Sequence, residues 1–380
     1  MEAVSRVGDP RDVQQRARLS YIRGRALDVF SDFDKEAEAC LARAVKLRLS
    51  DADGWSALGH CYWKKSDLFA AKRCYLQALH VDRKADSLRQ LSMLLRQLPG
   101  TPMETAGHLQ DSLKLAKEAI TLDAGCGESW YVMGNAYVAS FFRNSRGLKD
   151  LDRALQAYSK AESNGARSNP DLYFNRAQVL QYREDYPAAA RNYRAAKRLD
   201  PLLPVEKALA AIETGVDRLA KLVEKKGGLK AKRMSQLIAP LKALPAGEGL
   251  GAASSLRYLG DLRLGVNKGV AVALKLVMSA GPCNPPPERL VVVDAQGDCA
   301  VLSLYSITKD ACEKIASKDI LVVKEPALRT ISLSDGGDKS RSCPASYPCI
   351  QADPAEMLIN GQSMLGSFAA PVVRLVNFDK

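Results

Sequence analysis

Apolar and small residues recur over the first two hundred positions at the three-and-four spacing of amphipathic helices, and the helices come in pairs. Trp55, Leu58, Gly59 and Tyr62 mark one face of a first helix, and Ala71, Tyr75 and Ala78 mark one face of a second. The same offsets return at Tyr173, Ala177 and Leu180, followed by Ala189, Tyr193, Ala196 and Pro201. A glycine or alanine at a fixed place lets two helices cross closely, while the aromatic residues fill the space between neighbouring pairs. Three weaker copies complete the series: Tyr21, Gly24 and Leu27 with Ala37, Leu41 and Ala44; Leu88, Leu91 and Leu95 with Ala116 and Ala119; and Trp130, Met133, Gly134 and Tyr137 with Ala154, Tyr158 and Ala161. The last of these carries about eight residues more than a ~34-residue unit, predicted as a loop near Arg143 to Lys149. A similar insertion is expected around Pro99 to Gly107.

W-x2-L-G-x2-Y with the following alanines is the tetratricopeptide pattern, and five such repeats must stack because one alone cannot bury its apolar face. After Pro201 an amphipathic helix, Val205 to Glu224, is placed to cap the solenoid. A short basic helix, Leu229 to Leu244, and a Gly/Ala/Pro/Ser linker, Pro245 to Ser255, follow. The period then becomes strand-like. Val270 to Met278, Leu290 to Asp294, Ala300 to Tyr305, Ile320 to Val323 and Arg329 to Leu333 are short aliphatic runs, Ala295 to Asp298 reads as a hairpin turn, and Lys309 to Ser317 reads as a helix. Strands interrupted by one helix after the third suggest a five-stranded OB-fold barrel. The expected fold is α+β and multidomain: a tetratricopeptide solenoid over 1–204, capping and basic helices over 205–250, and an all-β OB-fold barrel over 251–380.

Charge sharpens this division. Of the net +12, the 26 residues from 225 to 250 supply +5, through Lys225, Lys226, Lys230, Lys232, Arg233 and Lys242 against one acidic residue. A solvated linker and a polyanion contact both fit such a run. The barrel has a net charge of only +1, and Tyr305 is the one aromatic residue in its predicted strands, so it is expected to dock protein rather than stack bases. The nine cysteines are odd in number, and Cys343 and Cys349 lack a zinc spacing, which reads as reduced thiols in the cytoplasm or nucleus. No run reaches the ~18 apolar residues of a membrane span, and no signal peptide is visible. G-x-S-x-G, G-x4-G-K-[ST] and H-E-x-x-H are absent, and Gly247-x-Gly249-x-Gly251 lies in the linker. No enzyme activity, metal, cofactor, small-molecule substrate or membrane partner is expected.

The chain resembles the tetratricopeptide repeat protein 5 family over nearly its whole length. The resemblance is carried by Lys46-Leu47, Tyr62-Trp63-Lys64-Lys65, Leu91-Ser92-Met93, Leu95-Arg96-Gln97-Leu98, Ser129-Trp130-Tyr131, Gly134-Asn135, Ser168-Asn169-Pro170-Asp171, Asn175-Arg176-Ala177, Glu325-Pro326 and Leu328-Arg329. It implies an adaptor that recognises the nascent N-terminus of tubulin at the ribosome and recruits mRNA-decay effector proteins. A second role it implies is a nuclear stress-response transcriptional cofactor that bridges an acetyltransferase and other co-activators.

The first role has a physical basis in the repeat register. The helix face opposite the packing residues lines a concave groove, placing there His60, Trp63, Asp86, Arg89, Met93, Arg96, Glu128, Tyr131, Asn135, Asp171, Phe174 and Gln178. A Met-Arg-Glu peptide would find complementary charges in this set. The resemblance gives the two charge-pairing roles to Arg96 and Asp171. It also assigns a third carboxylate near Glu206, where Val205 stands at the matching position. Lys230 and Lys232 match a family element that contacts ribosomal RNA, with Arg233 and Lys226 assisting.

Overall fold

The computed structural model describes residues 12–145, 147–244, 255–280, 287–305, 307, 312–333, 345–353 and 356–364. The chain divides into two compact units, the first running to Leu172 and the second starting at Tyr173.

The first unit is built of antiparallel helix pairs: α1 (Val13–Leu27) with α2 (Lys35–Leu47), α3 (Ala52–Lys64) with α4 (Leu68–Val81), α5 (Ala85–Leu95) with α6 (Pro102–Leu122), and α7 (Gly127–Ser140) with α8 (Leu148–Ser163). Aspartates start the first four. Asp12, Asp34, Asp51 and Asp67 accept hydrogen bonds from backbone N–H groups that the first turn leaves unpaired. Close crossing explains the repeat glycines. A Cβ at Gly24 would meet Leu41 Cγ at 2.6 Å, one at Gly59 would meet Tyr75 Cε1 at 3.1 Å, and one at Gly134 would meet Tyr158 Cε1 at 2.5 Å. Cys61 and Cys74 fill the same seams, and burial pushes both thiols up to about 11. Trp55 and Trp130 are half-buried and act alike: each indole N–H donates at 2.9 Å to the carbonyl six residues upstream, on Leu49 and Ala124, closing the preceding turn.

Neither predicted insertion is a simple loop. Thr101 caps α6 in a reciprocal box with Glu104, and Pro102 takes the first helical position, so the extra residues lengthen α6 to 21 residues. After α7 the chain tightens into a π-helical turn, Phe141–Ser145, in which the Phe141 and Phe142 rings meet edge to face at 4.7 Å.

The second unit opens with the last pair, α9 (Pro170–Tyr182) and α10 (Tyr186–Leu199), then α11 (Val205–Glu224) and α12 (Ala231–Lys242). The strands are β1 (Ser255–Arg257), β2 (Gly265–Val266), β3 (Val270–Ser279), β4 (Glu288–Val293), β5 (Cys299–Leu304), β6 (Ile320–Lys324), β7 (Ala327–Ser332), β8 (Ser346–Ala352), β9 (Met357–Ile359) and β10 (Gln362–Ser363). They curl into one sheet in the order β10-β9-β6-β3-β4-β5-β8-β7-β2, with β1 parallel to β3. The β5–β8 pairing is also parallel, and β8, β9 and the three short strands β1, β2 and β10 add to the five runs legible in the sequence. Of the expected helix Lys309 to Ser317, residues 309–311 lie outside the described residues, and Cys312 and Glu313 form a short helical turn. The predicted linker also lies outside them up to 254.

Both faces of the central strands are covered. Val272, Leu274, Val292, Leu302 and Val323 fill the barrel interior. On the outside, Ile212, Val216 and Leu219 of α11 pack over Val301, Ile331 and Tyr347. The basic helix is likewise part of this fold. Met234, Ile238 and Leu241 of α12 dock on Val293, Ala271 and Val322, each such side chain contributing about 1.5–3 kcal/mol when fully buried.

A buried charge joins the last repeat to the barrel. Glu184, in the α9–α10 turn at φ 59, has a side chain with 0% exposure. Its Oε1 pairs with Arg289 Nε at 2.8 Å and accepts from Ser303 Oγ at 2.9 Å, while Oε2 accepts from the Tyr305 hydroxyl at 3.0 Å. Arg289 also donates to the Tyr186 hydroxyl at 2.9 Å.

Candidate functional site

First helices of successive repeats present their outer faces side by side, and in the first unit that surface is polar and mixed in charge. Arg89 is its centre. Its Nη2 lies 3.1 Å from Asp86 Oδ1 one turn back and 3.3 Å from Glu128 Oε2 on α7, bridging two repeats. Arg89 is 13% exposed, whereas Asp86 and Glu128 are 61% and 70% exposed, so the carboxylates face solvent and the guanidinium lies beneath them. Trp63 donates its indole N–H to Gln97 Oε1 at 2.9 Å, fixing the ring on the same face.

The sequence-derived residues separate into distinct environments. Arg96 is 2% exposed, turned into the α5–α6 seam, where its Nη1 donates to Ser92 O at 3.3 Å and Ser112 Oγ at 3.2 Å. Arg143 Nη1 donates to the Arg96 carbonyl. Asn135 is also 2% exposed, and its Oδ1 accepts from the Tyr158 hydroxyl at 2.7 Å, so it joins α7 to α8 rather than lining open surface. Both residues face the groove side by helical spacing, but the hydroxyls of Ser112 and Tyr158 in the neighbouring seams hydrogen-bond them and so hold them inward. Asp171 is half-buried in the first turn of α9, where Asn169 Oδ1 accepts from its backbone N–H at 2.9 Å. A carboxylate there benefits from the helix N-terminal dipole.

In the second unit, Phe174 packs edge to face on Tyr193 at 5.4 Å between ring centroids. Val205 is fully buried, and the neighbouring Glu206 is exposed and ion-paired with Lys197. Lys230 stands at the N-cap of α12, with Lys232 and Arg233 exposed in its first turn and no acidic residue among them. Lys226 is committed elsewhere: its Nζ donates to Gly297 O at 2.8 Å, tying it to the β4–β5 hairpin.

Residues outside the sequence-derived set complete the face. Asp28, in the α1–α2 turn, is 8% exposed and holds Lys64 Nζ and His60 Nδ1, each at 3.0 Å. Asp28 and His60, with Tyr75, Asp86, Ser56 and Gln90, border a cleft of about 420 Å³. The repeat pattern assigns Tyr75 to packing and Asp28 to a turn, so only their spatial meeting marks them. In the described strands of the barrel Tyr305 and Tyr347 are 2% and 1% exposed, so neither ring is offered for base stacking.

The family model for the Tetratricopeptide repeat protein 5 OB fold domain matches residues 254–373. Human tetratricopeptide repeat protein 5 is 33% identical over 366 residues, spanning 92% of this chain and 81% of that protein. The mouse protein of the same name is 32% identical over 372 residues, spanning 94% and 83%. Among solved structures, a thermophilic TPR protein from Thermus thermophilus aligns with a TM-score of 0.42 at 17% identity, covering 53% of this chain and 98% of that one.

Proposed function

Because the chain belongs to the tetratricopeptide repeat protein 5 family, we propose that it is a non-enzymatic adaptor that reads the Met-Arg-Glu terminus of nascent tubulin at the ribosome and brings mRNA-decay effectors to the translated message. The tetratricopeptide and OB-fold architecture suits protein–protein interaction, and this reading names the partner.

The observation that carries it is the Asp86–Arg89–Glu128 bridge across two repeats. Exposed ion pairs are worth ~0–1 kcal/mol, so a peptide can exchange them for its own at small cost. Its arginine would meet surface carboxylates, with Asp171 as the family-matched partner. Its glutamate would meet Arg89 or Arg96. Arg96 Nη1 donates to the hydroxyl of Ser112 and the carbonyl of Ser92, and a hydrogen bond to a carboxylate is roughly twice as strong as one to such neutral oxygens.

The start of α12 supports a second contact. Lys230, Lys232 and Arg233 sit at the positive end of the helix dipole, an arrangement disfavoured by ~0.3–1 kcal/mol per charge. A ribosomal RNA phosphate would relieve it. This reading puts the protein in the cytoplasm, with the nucleus required only for the cofactor role.

Anisotropy titration of a fluorescent tubulin N-terminal peptide tests it. Asp171→Ala, Arg89→Ala and Arg96→Ala, each checked for an unaltered melt, are expected to weaken binding. Full affinity in all three would remove the groove as the tubulin site and favour the nuclear co-regulator role.

A further inference from the structure

Three repeats place a tyrosine at the same position of the second helix, each packed against a small residue of the first: Tyr75 on Gly59, Tyr158 on Gly134 and Tyr193 on Ala177. In two of them the hydroxyl is used within the pair. Tyr158 donates to Asn135 Oδ1 and Tyr193 donates to Gln181 Oε1, both at 2.7 Å. Tyr75 is 0% exposed and its hydroxyl has no hydrogen-bond partner. The residue matching Asn135, directly after the repeat glycine, is His60, whose ring is drawn away to Asp28 Oδ2 at 3.0 Å.

A desolvated hydroxyl without a partner destabilises a fold, so its retention calls for a reason. Tyr75 borders the 420 Å³ cleft between α1, α3 and α5, where Asp28 and Asp86 also stand. Its pKa is pushed well above 10, first by burial and then by the charges of Asp86 and Asp28. The carboxylates of Asp86 and Asp28 therefore stand close enough to act on the hydroxyl. An anion would be repelled there, and a cationic donor could give one N–H to the phenolic oxygen and another to the Asp86 carboxylate, which is 61% exposed. Arg25 also lines the cleft, and its own charge limits the site to a single further cation.

We propose that this cleft is a subsite for a single lysine or arginine side chain of a polypeptide lying in the groove, held by the Tyr75 hydroxyl and the Asp86 carboxylate. It rests on the reading of the groove as a peptide site for the source of the cation. The contact lies apart from Asp171 and selects a basic residue at another position of the bound chain.

The test labels the full chain with 3-fluorotyrosine and titrates it with methylguanidinium chloride, then with sodium acetate at matched ionic strength. The Tyr75 resonance, assigned by its loss in Tyr75→Phe, is expected to shift saturably with methylguanidinium alone. Asp86→Asn should weaken that response about fivefold, as for a part-exposed ion pair. Tyr75→Phe should melt at or above the parent temperature, whereas a hydroxyl with a structural role would lower it. A resonance that ignores methylguanidinium, one that answers acetate equally, or a lowered melt in Tyr75→Phe overturns the subsite. The tubulin peptide is titrated in parallel, and its failure to bind while the methylguanidinium response persists would overturn the nascent-peptide reading and leave the cation subsite standing.

Discussion

Glu184 and Arg289 bury opposite charges between the last repeat and the barrel, and their neighbours Ser303, Tyr305 and Tyr186 complete the hydrogen bonding. Removing one member of such a pair strands the other in a low dielectric. Glu184→Ala and Arg289→Ala are each expected to cost about 3–5 kcal/mol in urea unfolding, and the double variant less than their sum. Additive losses would show that the pair is not coupled. Asp319 makes a milder contribution. The Ala316 backbone N–H, and then the Asn360 side chain, hold its carboxyl below the usual 3.8. A depressed folded-state pKa stabilises at pH above the usual value and loses that contribution as pH falls through the depressed one. Asp319→Asn should therefore flatten the acid limb of stability below about pH 4, measured by the urea midpoint at successive pH values.

At the scale of elements, caps and crossings decide where the helices lie. Thr101 and Glu104 each satisfy a backbone N–H of the other at the start of α6. Thr101→Ala is expected to cost about 1 kcal/mol, read as a lowered melting temperature with unchanged helicity. The α7–α8 crossing is less forgiving. A methyl at position 134 would sit 2.5 Å from the Tyr158 ring, itself fully buried and bonded to Asn135, so Gly134→Ala should cost about 1–3 kcal/mol through overpacking. A neutral melt would mean that the helix pair can slide apart. Trp55 and Trp130 bind their upstream turns while half-exposed, and their truncation should fall below the roughly 3–5 kcal/mol of a fully buried aromatic.

For the whole molecule, the second compact unit begins inside the repeats, at Tyr173, well before the family-matched OB-fold domain at 254. A fragment starting at 254 would expose Val301, Ile331 and Tyr347, which α11 covers, and would leave Arg289 without Glu184. It should aggregate or melt without cooperativity, while a fragment starting at Ser168, which retains α9 whole, should give a single sharp transition. Equal behaviour of the two would mean that the helices are dispensable to the barrel. The proposed ribosome contact has its own signature. With ~2–4 phosphates neutralised, log affinity should fall with log salt at a slope of roughly −1.4 to −2.8, and Lys230→Glu with Lys232→Glu should abolish co-sedimentation while sparing peptide binding.

The sequence by itself determined the helix pairs, their glycine crossings, the α11 boundaries and the change from helical to strand period, because each depends on neighbours within a few residues along the chain. It also located the α12 charge run. Tertiary structure alone decided what crosses between elements: the parallel pairing of β5 with β8, the docking of α12 on the barrel, and the capture of Glu184 by residues more than a hundred positions away. It also decided which groove-side residues stay on the surface. Arg89 and Arg96 lie seven residues apart on one helical stripe, yet Arg89 lies beneath two exposed carboxylates while Arg96 turns into a seam where Ser112 of α6 waits for it. Periodicity assigns a residue to a face of its own helix. The partner that decides whether its charge meets solvent comes from another helix, and no local pattern encodes that distance.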